Sequence, residues 1–168
     1  MKKPVILVTG AGELADTIRT WQPRFGATDS QSHWLCIELL SITAKILHSG
    51  LPEFPLLTHF ANLQFAIATG GEVEQSQTLI FDTQPFLCDI EPTLPPKPLP
   101  HNWDVSSDSI AARLAEAIDA DELVLLKARP CPDEQNDFAA LSADHYVDEY
   151  FPRIAPRVRK IRLMQLPC

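Results

Sequence analysis

The stretch Val5-Ile6-Leu7-Val8-Thr9-Gly10-Ala11-Gly12-Glu13-Leu14-Ala15-Asp16 determines how the rest of the sequence is interpreted. It begins with a short apolar run rich in β-branched side chains, which is typical of a buried parallel strand. Residues 10–15 fit the pattern G-x-G-x-x-G/A, in which a strand leads through glycines into a helix. We therefore predict a strand over 5–9, a glycine turn, and a short helix over 13–20.

Three interpretations of these glycines can be weighed. Backbone N–H groups at a helix start can bind an anion such as phosphate, whereas a tight turn needs glycine for its backbone alone. A dinucleotide site requires, in addition, a second strand that ends in an acidic residue about 20 residues later. Asp29 stands near that distance, but the preceding segment contains Pro23 and charged residues. We interpret Asp29 as a helix-cap residue, which disfavours NAD binding and leaves the first two interpretations open.

Length and composition narrow the class of protein. A chain of 168 residues has room for one domain with a sizeable core, so we predict a single domain over 1–168. A net charge of −8 argues against a nucleic-acid partner. No apolar run approaches the roughly 20 residues that cross a bilayer, and the run after Lys3 is shorter than the apolar part of a signal peptide. We expect a cytoplasmic protein without a membrane partner.

The cysteines and histidines show no metal-binding spacing. The five histidines are scattered, and no C-x-x-C pair occurs among the four cysteines, Cys36, Cys88, Cys131 and Cys168. This spacing is typical of reduced structural or surface thiols, and we predict neither a metal site nor a disulfide framework.

Strand-like and helix-like segments alternate along the rest of the chain. Apolar runs predict strands near 54–57 and over 78–81, 123–127 and 160–166, and helical patterns predict helices over 30–47, 58–66 and 106–118. This alternation predicts an α/β fold, a three-layer α/β/α sandwich with a mainly parallel central sheet. Five prolines within 91–100 predict an extended, stiff connector rather than a helix.

The helix over 30–47, for which Asp29 or Ser30 is the expected N-cap, is apolar on more than one face. Such a helix is buried either in the core of the monomer or in a contact between subunits. We expect a homo-oligomer.

A second informative stretch is L-P-H-N-W-D-V-S-S-D-S-I-A-A-R-L-A over 99–115. It places two serines and Asp108 at the start of the helix over 106–118. The strand that follows, over 123–127, ends in Lys127. From the residues alone, Ser107 and Asp108 are ordinary helix-start residues and Lys127 is a solvated strand end.

On these residues the chain resembles the amino acid kinase family. The stretch V-T-G-A-G-E-L-A-D-T-I-R over 8–19 is similar to a glycine loop of that family. The stretches W-D-V-S-S-D-S-I-A over 103–111 and V-D-E-Y-F-P over 147–152 are most similar to the aminomethylfuran phosphate kinases of methanofuran-type cofactor biosynthesis.

The resemblance implies ATP-dependent phosphoryl transfer, with Mg²⁺, to a small phosphorylated or alcohol metabolite. It assigns Gly10, Ala11 and Gly12 to phosphate binding, Ser107 and Lys127 to the nucleotide site, and Asp108 to catalysis as the group that orients positive charges. Open α/β sheets bind ligands at the carboxyl ends of their strands. We therefore expect the loop at 10–12 and the helix start at 107–108 to face each other across a cleft.

The chain departs from the family pattern in two places. Family members begin with an earlier strand that carries a K-x-G-G-S loop, and here Met1 falls where that strand should already have ended, which predicts an N-terminally truncated fold. Residues 129–134 stand where many members have D-G-(V/I)-Y. Two functions remain open: a kinase in which Lys127, Arg19 or Mg²⁺ supplies the charge, and a catalytically degenerate member that binds a ligand or partner.

Overall fold

The computed structural model describes residues 4–70, 77–132 and 137–166. The chain divides into two compact units, residues 1–102 and residues 103–168, and each is described by itself. The single domain over 1–168 stays a prediction.

The first unit contains a three-stranded parallel sheet. Its strands are β1 (Val5–Leu7), β2 (Leu56–Leu57) and β3 (Thr78–Phe81), in the order β1-β3-β2. Leu7 pairs with Ile80 and Leu57 pairs with Phe81, so the carboxyl ends of the three strands lie at one edge of the sheet. The central strand β3 is almost fully buried, as its continuous apolar sequence predicts.

Three helices of this unit connect and cover the strands: α1 (Glu13–Phe25), α2 (Asp29–Gly50) and α3 (Phe60–Ala68). The predicted end of α1 at residue 20 is wrong, because the helix continues through Pro23 until Gly26 adopts a left-handed conformation with φ 67° and ψ 25°. The end of the helix is therefore set by Gly26 and not by the proline in its last turn.

The predicted cap of α2 at Asp29 or Ser30 is also wrong. Thr28 is the N-cap, and its hydroxyl accepts from the backbone N–H of Gln31 at 3.2 Å. The side chain of Gln31 accepts in turn from the backbone N–H of Thr28 at 2.8 Å. This reciprocal pair is a capping box, which satisfies two N–H groups at once and fixes the start of the helix one residue earlier than predicted.

After β3 the chain forms α4 (Thr83–Pro85), a π-helical turn (Phe86–Ile90) and a 3₁₀ turn (Glu91–Thr93). The predicted extended connector over 91–100 is therefore wrong at its beginning. The Glu91 carboxylate is buried and accepts from the backbone N–H of Leu99 at 3.0 Å. That hydrogen bond folds the proline-rich segment back on its helical start.

The second unit is built around a two-stranded parallel sheet. Its elements are α5 (Ser107–Ala117), β4 (Leu123–Lys127), α6 (Phe138–Ala143), α7 (Phe151–Ile154) followed by a 3₁₀ turn (Ala155–Arg157), and β5 (Ile161–Gln165). Strand β4 pairs with β5 in parallel from Leu123–Ile161 to Lys127–Gln165. Helix α5 is buried from Ser109 to Ala115, and it includes Arg113, which is 1% exposed and paired with Glu116 at 2.6 Å.

These elements confirm the α/β fold with parallel strands. All five predicted strands are present, and three of them are two residues shorter than predicted. Within the described residues, no helix combines the length and the apolar character needed to span a membrane.

The cap of α2 gives a direct test of the helix start. We expect Thr28→Ala to lower the free energy of unfolding by about 1 kcal/mol, because the first turn loses its side-chain acceptor. Ser30→Ala, at a position that the sequence pattern favoured as a cap, should change it by less than about 0.5 kcal/mol. Urea unfolding followed by circular dichroism measures both, and equal losses in the two variants would contradict the assignment of Thr28.

Candidate functional site

The glycine loop Gly10-Ala11-Gly12 lies between the carboxyl end of β1 and the start of α1. Thr9 anchors it, because its hydroxyl donates to the Leu40 carbonyl at 3.3 Å and accepts from the Thr43 hydroxyl at 2.9 Å. Both partners belong to α2, so that helix fixes where the loop begins. The loop thus stands at the edge of the sheet where open α/β folds bind their ligands.

Gly12 is the N-cap of α1 and has φ 57° and ψ −143°, a conformation that L-residues rarely adopt. A Cβ added at Gly12 would meet no protein atom within 4 Å. The backbone conformation therefore accounts for this glycine by itself.

Negative charge at the same helix start opposes anion binding. Glu13 and Asp16 both lie in the first turn of α1 and are exposed. Asp16 pairs with Arg19 at 2.8 Å on the exposed face of the helix. Since these carboxylates already complement the helix dipole, a phosphate gains less here than at an uncharged helix start.

Sequence reasoning missed a buried carboxylate at this edge of the sheet. Asp82 directly follows β3, is 2% exposed, and accepts from the Ser41 hydroxyl at 2.5 Å and from the backbone N–H of Gln84 at 3.0 Å. The sequence signal for it was an acidic residue placed immediately after the apolar run over 79–81. Asp82 joins α2 to the carboxyl end of the central strand.

A cluster of aromatic rings was missed as well. His33 is buried, its Nδ1 lies 3.2 Å from the Asn102 carbonyl, and its ring stacks on His101 with centroids 5.5 Å apart. Trp34 meets His101 edge to face at 4.7 Å. Burial, with the neighbouring His101 as the smaller cause, lowers the pKa of His33. The scattered positions of these histidines in the sequence gave no sign of this contact.

In the second unit the structure brings Asp108 and Lys127 together. The Lys127 Nζ lies 2.6 Å from Asp108 Oδ2, and the two side chains are only 17% and 13% exposed. A pair so shielded from water interacts more strongly than an ion pair on the surface. The interpretation of Lys127 as a solvated strand end is therefore wrong. Ser107, half-buried, is the first residue of α5 and the chain neighbour of Asp108.

Burial raises the pKa of the Asp108 carboxyl above its usual value of 3.8. The positive charge and hydrogen bond of Lys127 lower that pKa, whereas the negative charge of Asp148 raises it. The net direction is upward, because removal from water penalises the charged form more than Lys127 stabilises it.

The aromatic ring of Tyr146 lies beside this ion pair. The Lys127 Nζ lies 5.5 Å from the centre of the Tyr146 ring, and the guanidinium of Arg129 lies 5.1 Å from it. The Tyr146 hydroxyl donates to the Arg129 carbonyl at 3.3 Å. Two cations thus share one buried ring, an arrangement that fixes the direction of both side chains. Of the segment 129–134, residues 133 and 134 lie outside the described residues.

The predicted site residues are divided between the two units. Gly10, Ala11 and Gly12 belong to the first unit, and Ser107, Asp108 and Lys127 belong to the second. The structure brings the last two into contact. The expectation that the glycine loop and the helix start face each other stays a prediction.

A magnesium site made only of protein ligands does not fit the described residues. Asp108 is engaged by Lys127, and both oxygens of Asp148 accept hydrogen bonds. In the part of the chain that the structure describes, no group of three or more His, Cys, Asp or Glu side chains could hold a metal ion. Mg²⁺ commonly binds through substrate phosphates together with one or two carboxylates, so it could arrive with a nucleotide.

Gly12 offers a test that separates backbone strain from crowding. We expect Gly12→Ala to destabilise the protein by about 1–3 kcal/mol, because its φ and ψ are unfavourable for alanine although space is free. Gly26→Ala is the matched control, since Gly26 also has room for a Cβ but lies in the milder left-handed region. Urea unfolding should show the larger loss at residue 12, and equal stability of Gly12→Ala and the native chain would contradict the strain.

Comparison with known proteins adds a family to this geometry. Residues 1–130 match the model of the amino acid kinase family. A search of curated proteins found no match. The matched region covers more than half of the chain and includes the glycine loop, Asp108 and Lys127. The chain therefore belongs to the amino acid kinase family.

Proposed function

We propose that this protein transfers a phosphoryl group from ATP to a small metabolite, with Asp108 and Lys127 at the centre of the reaction. The shielded ion pair between these two residues is the observation that carries the proposal. Family membership supports it, because the coarse activity that the family suggests is kinase-like phosphoryl transfer.

Phosphoryl transfer depends mainly on positioning and on compensation of the charge on the moving oxygens. The ammonium group of Lys127 has three donors. One of them is held by Asp108, which leaves the other two for phosphate oxygens once the direction of the side chain is fixed. Asp108 would thus act by orienting the positive charge, and Ser107 would line the same site from the first turn of α5.

In this proposal the backbone N–H groups of Gly10, Ala11 and Gly12 bind nucleotide phosphates. Glu13 and Asp16 oppose a bare phosphate at that position, so the proposal includes Mg²⁺, which supplies positive charge together with ATP. We also propose a cytoplasmic location, where ATP is available and cysteines stay reduced.

The acceptor that we propose is a phosphorylated or alcohol metabolite, with an aminomethylfuran phosphate as the first compound to test. This choice follows only the resemblance drawn from the residues at 103–111 and 147–152, which the comparisons do not support.

The decisive variant is Asp108→Asn, which keeps the shape of the side chain and removes its charge. We expect Mg–ATP to bind the native chain in isothermal titration, and labelled ATP to transfer its terminal phosphoryl group to an acceptor. The variant should lose about 10²–10³-fold in transfer rate, since Lys127 is no longer held. Asp119→Asn, an exposed change in the same unit, is the control and should transfer normally.

Transfer that is robust and insensitive to Asp108→Asn would discard the site assignment. Binding of Mg–ATP without transfer to any acceptor would instead identify a family member that binds nucleotide without catalysis. Absence of binding would refute the proposal altogether.

We also propose that the protein forms a homodimer through α2. Four apolar side chains form a stripe along one side of the helix, and most of them are exposed: Leu35, Leu39, Ile42 and Ile46. Their spacing of four, three and four residues reads the same in both directions. An antiparallel pair about a two-fold axis therefore matches the stripe with itself, as an isologous contact requires.

Charges beside the stripe are complementary in such a pair. Glu38 and Lys45 are both exposed on α2, and an antiparallel partner brings unlike charges toward each other along the edge of the contact. A groove of about 560 Å³ at the end of the stripe, lined by Phe25 and Leu35 among others, offers room for side chains of the second copy. Helix α1 extends the apolar surface, since Trp21 and Phe25 are 50% and 78% exposed.

Sedimentation equilibrium tests the dimer. We expect a mass twice the 18.7 kDa of one chain at micromolar concentration. Ile42→Glu should weaken association by about 30-fold or more, because it places two charges at the centre of the contact. Phe65→Glu is the control: it replaces a more exposed apolar residue outside α2 and should leave the mass unchanged. A native mass near 18.7 kDa would overturn the proposal.

A further inference from the structure

The Asp148 carboxylate accepts five hydrogen bonds from described residues near the start of α5 and the start of α7. Its Oδ2 accepts from the backbone N–H and the hydroxyl of Ser106 and from the backbone N–H of Ser109, each at 2.9 Å. Its Oδ1 accepts from the Ser109 hydroxyl and from the backbone N–H of Phe151. Asp148 thus joins the start of α5 to the start of α7.

These contacts enclose Asp108 on both sides along the chain. Ser106 and Ser109 flank it, and both are held by the same carboxylate. The hydroxyl of Ser106, which stands at the N-cap position, makes no capping bond with its own helix and donates to Asp148 instead. Asp148 therefore supplies the negative group that a helix start attracts.

We propose that Asp148 is a positioning residue for Asp108: by binding Ser106 and Ser109, which precede and follow Asp108 in the chain, its carboxylate fixes the direction from which Asp108 holds Lys127. The inference rests on the proposed function of the Asp108–Lys127 pair. It adds a residue that lies beyond the region matched by the family model.

A positioning role predicts that Asp148 affects the pKa of Asp108, whereas a simple helix cap predicts no such effect. Burial is the main cause of the raised pKa of Asp108; the negative charge of Asp148 raises that pKa further, and the backbone N–H of Asp148 lowers it. Lys127 faces Asp108 from β4, and Tyr146 lies over Lys127. Because only the charged form of Asp108 forms the ion pair, Asp148 helps to set the pH above which the pair exists.

The test compares Asp148→Asn with Asp137→Asn, which alters a different capping carboxylate in the same unit. Asp137 caps α6 by accepting from the backbone N–H groups of Ala139 and Ala140. Carbon-detected NMR titration of the intact protein should show a lower pKa of Asp108 in Asp148→Asn, since a negative neighbour is gone. The pKa of Asp108 should not change in Asp137→Asn.

Kinetics provide a second readout. Phosphoryl transfer should fall by up to about 10²-fold in Asp148→Asn through misplacement of Asp108. The acid limb of its pH–rate profile should move to lower pH, in the same direction as the pKa. Unchanged pKa and pH profile in Asp148→Asn, or equal shifts in the two variants, would reduce Asp148 to a structural cap and overturn the proposal.

A measurement on the native chain covers the case in which Asp148→Asn does not fold. The backbone amide resonance of Asp148 should shift with the same midpoint as the Asp108 carboxyl, and this shift should disappear in Asp108→Asn. An Asp148 amide that does not follow Asp108 overturns the proposal even if kinase activity is present. If the Asp148 amide follows the titration of Asp108 but no phosphoryl transfer is found, the positioning role stands and only the proposed function is refuted.

Discussion

The half-buried ion pair between Asp108 and Lys127 is the constraint on which the arrangement of the second unit depends. Each group gives up most of its hydration, so each needs the other, and removal of one leaves a shielded charge without its partner. Helix α5 brings the carboxylate and strand β4 brings the ammonium. Their meeting fixes how the helix and the strand approach each other within the unit.

The start of α5 shows why such a pair needs support. An aspartate near a helix N-terminus is attracted by free N–H groups of its own helix, which would draw it away from a lysine. Asp148 accepts hydrogen bonds from the N–H groups of Ser106 and Ser109, so these groups no longer compete with Lys127 for Asp108. Asp108 is then left to bind Lys127. The cost is a second negative charge beside Asp108, which adds to the larger effect of burial in raising the pKa of its carboxyl.

Sequence patterns predicted the secondary structure well where the determinants are local. The predicted strands at 78–81 and 123–127 agree with the structure residue for residue, because a short apolar run next to a turn is a local signal. The side chains that bind a helix start were predicted less well than its position. Asp148 binds the start of α5 from 39 residues away at Ser109, and no local pattern records such a partner. Thr28 was missed for another reason, since two neighbouring polar residues offered equally plausible caps.

The glycine loop and the surroundings of Lys127 differ in how much the local sequence reveals about their function. In the glycine loop, the backbone conformation of Gly12 explains the glycine whether or not phosphate binds there, so the motif alone cannot distinguish a turn from a binding site. Around Lys127, by contrast, a solvated strand end and a shielded cation predict different exposures, and the side chain is only 17% exposed. A lysine kept from water at the carboxyl end of a parallel strand, held by one carboxylate and covered by the ring of Tyr146, is costly unless its remaining donors are used. The remaining donors of Lys127 need negatively charged acceptors, and phosphate oxygens are acceptors of that kind. For that reason the ion pair supports phosphoryl transfer more strongly than the glycines do.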